Sequence, residues 1–400
     1  MNVLNVGQNH YVRGGSDKYF FDLGTMLRER NHDVHVFAAA HSQNLPTADS
    51  SFFPPPVDFE KPRVNDLIRF VYNRGAAKNL AAMLATKKFD VAHLHIYYGQ
   101  LSSSILNSLK RGGVPVVQTL HEYRVVCPTS HLVANGEPCE RCDGHKFYRA
   151  IVQRCNRGSV ARSALSAIET YVAHANGAVS GVDHFIAVSE FLRQKVISLG
   201  VPANKVTTIH NFVDARRFTP TSDRGSYILY YGRLELIKGL MTLLKAARTL
   251  PEVAFVIAGE GAARGAMESY IGQHSLTNVK LVGFQSGAAL HSLIRGSICT
   301  VTPSEWYETF GLTLVESFAL GRPVICSDMG GMPEIVTDGY DGYVVPPGNP
   351  ELLAQRIARL YGNPDLAIEM GRAGRSTAEA RFSPDAHIER VESVYTKVAR

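Results

Sequence analysis

No run of eighteen apolar residues occurs in the 400-residue chain, which leaves no stretch long enough to cross a bilayer as a helix. The start, Met1 followed by NVLNVG, lacks the charged leader and long apolar segment of a secretory signal and reads as a buried strand. A cytoplasmic location is therefore the expectation. Basic tracts are also missing, although the net charge is +6. With no nucleic-acid module legible, nucleic acid is not an expected partner, whereas a small anion or an anionic membrane surface fits a mild positive excess. Cysteines number six, and in a reducing compartment they are not expected to form disulfides. At 45% hydrophobic and 20% charged, the composition excludes a disordered or fibrous chain, and the length predicts two or three domains.

What is present is an alternation of short apolar runs with helical patterns. VLNV, a loop QNHYVRGGSD, a helix KYFFDLGTMLRERNH and a strand DVHVFAAA make a β-α-β unit. A Ser/Pro/Asp-rich loop spans 41–66, a helical stretch is predicted near 66–87, and FDVAHLH, a helix over 99–111 and VPVVQTL continue the rhythm. A helical segment over 156–180, with Arg157 and Arg162, is a domain helix or a surface for a membrane. HFIAVS, EFLRQKVISLG and KVTTIHNFVD close the first half. The pattern restarts at YILYYG and runs through four further strands, with a helical tail from 350 to 400. The fold class is α/β, two doubly wound domains facing one cleft: 1–213 with an insert at 127–155, 214–383, and a final helix 384–400 that can pack back on the first domain.

Several residue groups carry possible chemistry. Gly14 and Gly15 precede the first helix, where backbone N–H groups can meet an anion; a plain tight turn is the alternative. His121 directly follows VPVVQTL, the carboxyl end of a parallel strand, where open α/β sheets bind ligands; it could equally be a structural hydrogen-bonder. Arg233 and Lys238, in GRLELIKG between a strand and a helix, suit a diphosphate unless they are solvated charges. In ETFGLTLVE, Glu316 sits beside the apolar helix face formed by Leu312, Val315, Phe318 and Ala319. A carboxylate there needs hydrogen-bond partners, and sugar hydroxyls are suitable ones. Glu308 precedes that helix at its positive end. A helix cap and an ordinary ion pair are the plainer explanation. Glu260, Gly330 and Gly331 lie on loops at other strand ends of the same sheet. No Asp-x-Asp occurs; a metal-dependent sugar-nucleotide enzyme needs such a pair for its ion, so fixed cations are expected to take its place at a diphosphate.

Cys127, Cys139, Cys142 and Cys155 fall within the 127–155 insert around a CERC knuckle. Four thiolates can close a structural zinc site; packed reduced thiols or a redox-labile pair are the alternatives.

Taken together, GGSDKYFFDLGTMLRERNHDVHVF, TLHEYR, GRLELIKG, AGEGAAR, ETFGLTLVE and GGMPEIV resemble the retaining glycosyltransferases of family 4, with the GT-B fold, over essentially the whole chain. The resemblance implies transfer from an NDP-sugar of UDP or GDP type to an acceptor in polysaccharide or glycoconjugate synthesis; the mild positive charge and the basic 157–162 region add a glycan or lipid-linked acceptor and a peripheral place at the inner membrane face as expectations. It implies that Arg233 and Lys238 bind the donor diphosphate, Glu316 the ribose, Glu308 the sugar hydroxyls, and that His121 contacts the donor sugar. Gly14 and Gly15 would lie near phosphates or acceptor, and no metal would be required for catalysis. Asp17 departs from the Glu that many relatives carry, which leaves its role open. The cysteine insert looks like one found in a subset of relatives that build bacterial surface polysaccharides. A sugar-nucleotide 2-epimerase of the same fold and a non-catalytic sugar-nucleotide binder are the rival functions.

Overall fold

The structure is a computed structural model and describes residues 1–399. The chain divides into two compact units. One joins Met1–Asn135, Cys139–Ile209 and the residues from Asp385 on; the other joins Gly136–Pro138 and His210–Pro384.

The first unit is built on six parallel strands: β1 (Asn2–Val6), β2 (Asp33–Phe37), β3 (Val91–Leu94), β4 (Val116–Leu120), β5 (His184–Ala187) and β6 (Val206–Thr208), in the spatial order β2-β1-β3-β4-β5-β6. Val3, Leu4, Val91, Ala92, Val117, Phe185 and Ile186 are fully buried, as expected of strands covered by helices on both faces. The last helix, Pro384–Val398, packs within this unit, and the hydroxyl of its Tyr395 meets the buried His93 of β3 at 2.5 Å.

The second unit repeats the plan with β7 (Tyr227–Tyr231), β8 (Phe255–Ala258), β9 (Val279–Gly283), β10 (Ser297–Thr302), β11 (Val324–Ser327) and β12 (Gly342–Val345). Their order, β9-β8-β7-β10-β11-β12, is that of a doubly wound dinucleotide-type sheet. Its core gathers Ile228, Leu243, Phe255, Ile325 and Ile357 from strands and helices alike.

Three sequence expectations differ from the fold. The helix predicted near 66–87 is two helices, Val64–Val71 and Arg74–Thr86. Asn73 breaks it: its side-chain oxygen caps the second helix through the Ala76 N–H at 3.1 Å, and its amide donates to the Gln100 carbonyl. The helix expected over 99–111 begins only at Ser104, because Gly99 and Ser102 take positive φ. Strand β12 was not anticipated; GYVV is too short to show a period between its flanking turns.

Candidate functional site

In the second unit, the singled-out residues follow the carboxyl ends of adjacent strands. Glu260 follows β8, Arg233 and Lys238 follow β7, Glu308 follows β10, and Gly330 and Gly331 follow β11. Since β8, β7, β10 and β11 are neighbours in that order, these loops share one sheet edge, the usual binding edge of such sheets.

Glu308 is the hub of this edge. Its Oε1 accepts from Lys238 Nζ at 2.7 Å and from Ser304 Oγ at 2.6 Å, and its backbone carbonyl accepts the Gly331 N–H at 2.8 Å. Burial pushes the Glu308 carboxyl up, but the Lys238 ammonium and the hydrogen bonds from Lys238 and Ser304 outweigh it and hold the group below its ordinary value. The ammonium also lies 5.0 Å from the Trp306 ring centre. The backbone is set for this contact at two glycines. Gly239, at φ +69, closes the turn carrying Lys238, and a Cβ there would stand 1.7 Å from the Pro303 carbonyl oxygen. Gly330, at φ +64, would place a Cβ 2.1 Å from the Glu308 carbonyl oxygen.

The other charges of the edge are paired elsewhere. Arg233 is exposed and bonds Glu235 at 3.0 Å, so the two cations of GRLELIKG each hold a different carboxylate. Glu260 is exposed and bonds Arg264 at 2.7 Å, while its backbone carbonyl accepts the Leu234 N–H and ties the two loops together. Glu316 is half-buried on the helix Leu312–Ala319. Beside it, the Tyr231 hydroxyl donates to the Thr313 carbonyl at 2.6 Å; burial first, and the Glu316 charge next, raise its pKa. On that helix Leu314 is buried and Leu312 only partly so. Sequence reasoning missed Ser304 and Trp306; the single tryptophan of the chain, two residues before Glu308, was the available signal.

In the first unit, His121 follows β4 and is half-buried. Its Nε2 lies 3.2 Å from His95 Nδ1, and Tyr19 and His95 flank its ring. Burial, with the nearby His387 adding, pushes its pKa down to about 3, so the ring is neutral at physiological pH. Gly14 and Gly15 are exposed at the start of the helix Gly15–Glu29. Gly14 has extended backbone, and a Cβ there would meet nothing within 4 Å. Asp17 accepts the Arg13 N–H at 3.0 Å in the first helical turn, and its burial raises its pKa.

The four insert cysteines share one neighbourhood. Burial raises the Cys142 thiol to about 12 and the Cys155 thiol to about 11, with Cys127, Cys155 and Cys139 adding to the first shift and Cys127 and Cys139 to the second. All four are free thiols, and among the described residues no group of three or more His, Cys, Asp or Glu is arranged to hold a metal ion. No helix among those residues is long and apolar enough to cross a membrane.

Residues 13–217 match the family model described as Glycosyltransferase Family 4, and residues 213–377 the one described as Glycosyl transferases group 1. An alpha-D-kanosaminyltransferase of Streptomyces kanamyceticus is 31% identical over 176 residues, 43% of this chain and 45% of that protein, so the match spans about half of that relative's length. A D-inositol 3-phosphate glycosyltransferase of an Arthrobacter strain is 25% identical over 92% of this chain and 86% of its own. Among solved structures, sucrose-phosphate synthase from Thermosynechococcus elongatus superimposes with a TM-score of 0.72 at 20% identity, covering 99% of this chain and 98% of that one. Anabaena HepE, solved with UDP-glucose, gives 0.72 at 17%, covering 99% and 100%. At these identities the likeness is one of fold.

Proposed function

Since this chain belongs to glycosyltransferase family 4 and has the GT-B fold of two parallel-sheet, Rossmann-like domains, we propose that it moves a sugar from an NDP-sugar of UDP or GDP type to a glycan or lipid-linked acceptor. In this reading the anomeric configuration is retained and no catalytic metal is used. The observation that carries it is the Lys238–Glu308 pair at the carboxyl edge of the second sheet, a partly buried cation beside a buried carboxylate where a sugar diphosphate presents phosphate oxygens next to hydroxyls. UDP-glucose in the HepE structure supports a uridine donor.

The roles follow from charge. Lys238 and Arg233 hold the diphosphate and stabilise the charge it gains as it leaves. Glu308 accepts from sugar hydroxyls, Glu316 from the ribose, and His121 meets the donor sugar. Gly330, Gly331 and Glu260 shape the edge, and Gly14 and Gly15 leave room for phosphate or acceptor. As the bond from the anomeric carbon to the diphosphate oxygen breaks, the acceptor oxygen bonds that carbon on the same face. Its proton passes to the departing diphosphate oxygen, so no enzymatic nucleophile is needed and positioning supplies the rate. A thermal-shift series with UDP-, GDP- and ADP-sugars tests the reading. One nucleotide class should raise the Tm clearly, and no shift from any would sink the assignment.

Two attachments belong to the same proposal. Val64 (74% exposed) and Ile68 (59%) on one helix and Ile168 and Tyr171 on the helix it touches are exposed, as are Lys61, Arg63, Arg157 and Arg162, a set of residue types suited to the anionic inner membrane face and a lipid-linked acceptor. Co-sedimentation with anionic vesicles, lost in Val64→Asp/Ile68→Asp, is the expected result. The CERC spacing, and not the arrangement of the thiols, is what supports a structural zinc at Cys127, Cys139, Cys142 and Cys155 that takes no part in transfer; a zinc-to-protein ratio near zero in purified enzyme removes it.

A further inference from the structure

The first unit holds a buried chain of imidazoles that reaches His121, and the hydrogen bonds from Asn5 through His95 to His121 fix where the protons between them lie. The chain starts at Asn5 of β1, whose amide nitrogen donates to the Phe20 carbonyl at 3.2 Å. A carbonyl can only accept, so the Asn5 amide is oriented with Oδ1 toward His95, whose Nε2 lies 2.8 Å away. His95 Nε2 must therefore carry the proton. His95 is fully enclosed, and burial together with the neighbouring His93 and His121 disfavours its imidazolium form. As a neutral ring with its proton on Nε2, it has a lone pair on Nδ1. That lone pair faces His121 Nε2 at 3.2 Å, the two rings lying 21° from coplanar. His121 Nε2 must in turn donate.

We infer that Asn5 and His95 are positioning residues that fix His121 as the neutral tautomer with its proton on Nε2 and its lone pair on Nδ1, so that His121 meets a ligand hydroxyl as an acceptor. This rests on the reading above in which His121 contacts the donor sugar. The surroundings reinforce the assignment from every side. His93 stacks on His95 with ring centres 4.4 Å apart and is held by Thr119 and Tyr395. Tyr19 packs against both His95 and His121 while its hydroxyl bonds His387 at 2.9 Å. Burial, with His387 adding at His121 and with His121 adding at His93, disfavours the imidazolium form of both rings. A histidine held in one tautomer is a better hydroxyl acceptor than one that exchanges between two, because no fraction of it presents a second donor to the sugar.

The test reads the tautomer directly. In full-length protein with 15N-labelled histidine, His121 should show an unprotonated Nδ1 and a protonated Nε2, unchanged between about pH 6 and 8. Replacing His95 by Phe keeps a ring but removes the acceptor, and replacing Asn5 by Leu removes the first link; each should mix the His121 tautomers. In a protein that still folds by circular dichroism, each should raise KM for the donor sugar about tenfold with less change in kcat. His95→Gln, which restores an acceptor oxygen, should recover the tautomer and most of the KM. A proton on His121 Nδ1 in the wild type, or an unchanged tautomer in folded His95→Phe, overturns the inference. If the tautomer changes in His95→Phe while the donor KM does not, the inference stands and the sugar-contact role of His121 falls.

Discussion

Lys238 Nζ lies 2.7 Å from Glu308 Oε1, with the two side chains only 15% and 12% exposed. A pair so withdrawn from water is destabilising to break from one side, because the remaining charge is left buried without its partner. In the proposed reaction the same cation must turn to a diphosphate and the same carboxylate to sugar hydroxyls. On that proposal the contact is a preformed cradle whose charges satisfy each other until the donor arrives.

Lys238→Ala should therefore fail in two separable ways. Turnover should fall about 10²-fold or more, the loss typical of one preorganised charge donor. Stability should fall by about 3 kcal/mol as Glu308 loses its counter-ion. The double variant Lys238→Met/Glu308→Gln removes both charges, so denaturant unfolding should show most of the stability regained while activity stays lost. A folded Lys238→Ala enzyme with wild-type turnover would remove Lys238 from the mechanism.

The two glutamates should separate by ligand. Glu308→Gln should weaken the intact sugar nucleotide about 10- to 100-fold while leaving the affinity for the free nucleoside diphosphate near wild type. Glu316→Gln should weaken both, as expected for loss of a charged hydrogen-bond partner to the ribose. Calorimetric titration with UDP and with UDP-sugar distinguishes them; identical profiles for the two variants would dissolve the division of roles.

Much of this edge was legible because it is local. GRLELIKG and ETFGLTLVE announce their charges beside glycines and helix starts, and parallel strands declare themselves as apolar runs ending at those loops. What joins the loops was not legible. Nothing in the spacing of Lys238 and Glu308 says that β7 and β10 are neighbours and bring them into contact. The same holds for His121: its place after a strand was readable, but its link to Asn5 through His95 spans three strands, β1, β3 and β4. Asn73, which splits a helix that periodicity predicts as continuous, shows the opposite case, a local cap overriding a pattern.

Glycines at Gly330 and Gly14 should respond differently to the same change. Gly330→Ala forces a side chain into left-handed backbone and against the Glu308 carbonyl, so it should cost at least about 2 kcal/mol of stability and displace Glu308. Gly14→Ala meets open space on extended backbone and should leave the Tm unchanged while raising KM for donor or acceptor. If Gly14→Ala is silent in both measurements, the glycine is a plain turn residue rather than part of the site.

Acid should unfold the first unit earlier than carboxylate chemistry alone would. Burial, the leading cause for both, holds His93 and His121 at about 3 in the folded protein, against about 6.5 for an unfolded histidine. A depressed folded pKa means stability that is complete above the unfolded value and is lost as pH falls toward the folded one. Each histidine therefore contributes a slope of about 1.4 kcal/mol per pH unit below about pH 6.5. Glu308 is also depressed, relative to a carboxylate, so its contribution is lost only below about pH 4.3, beneath the pH 6.5 to 5 range in which the histidine effect is read. The Tm should begin to fall between pH 6.5 and 5. His93→Asn should take about one proton per molecule out of that slope, while Glu308→Gln should leave it alone. A Tm that is flat from pH 6.5 to 5 would mean that these imidazoles already titrate in the folded state and are not held neutral.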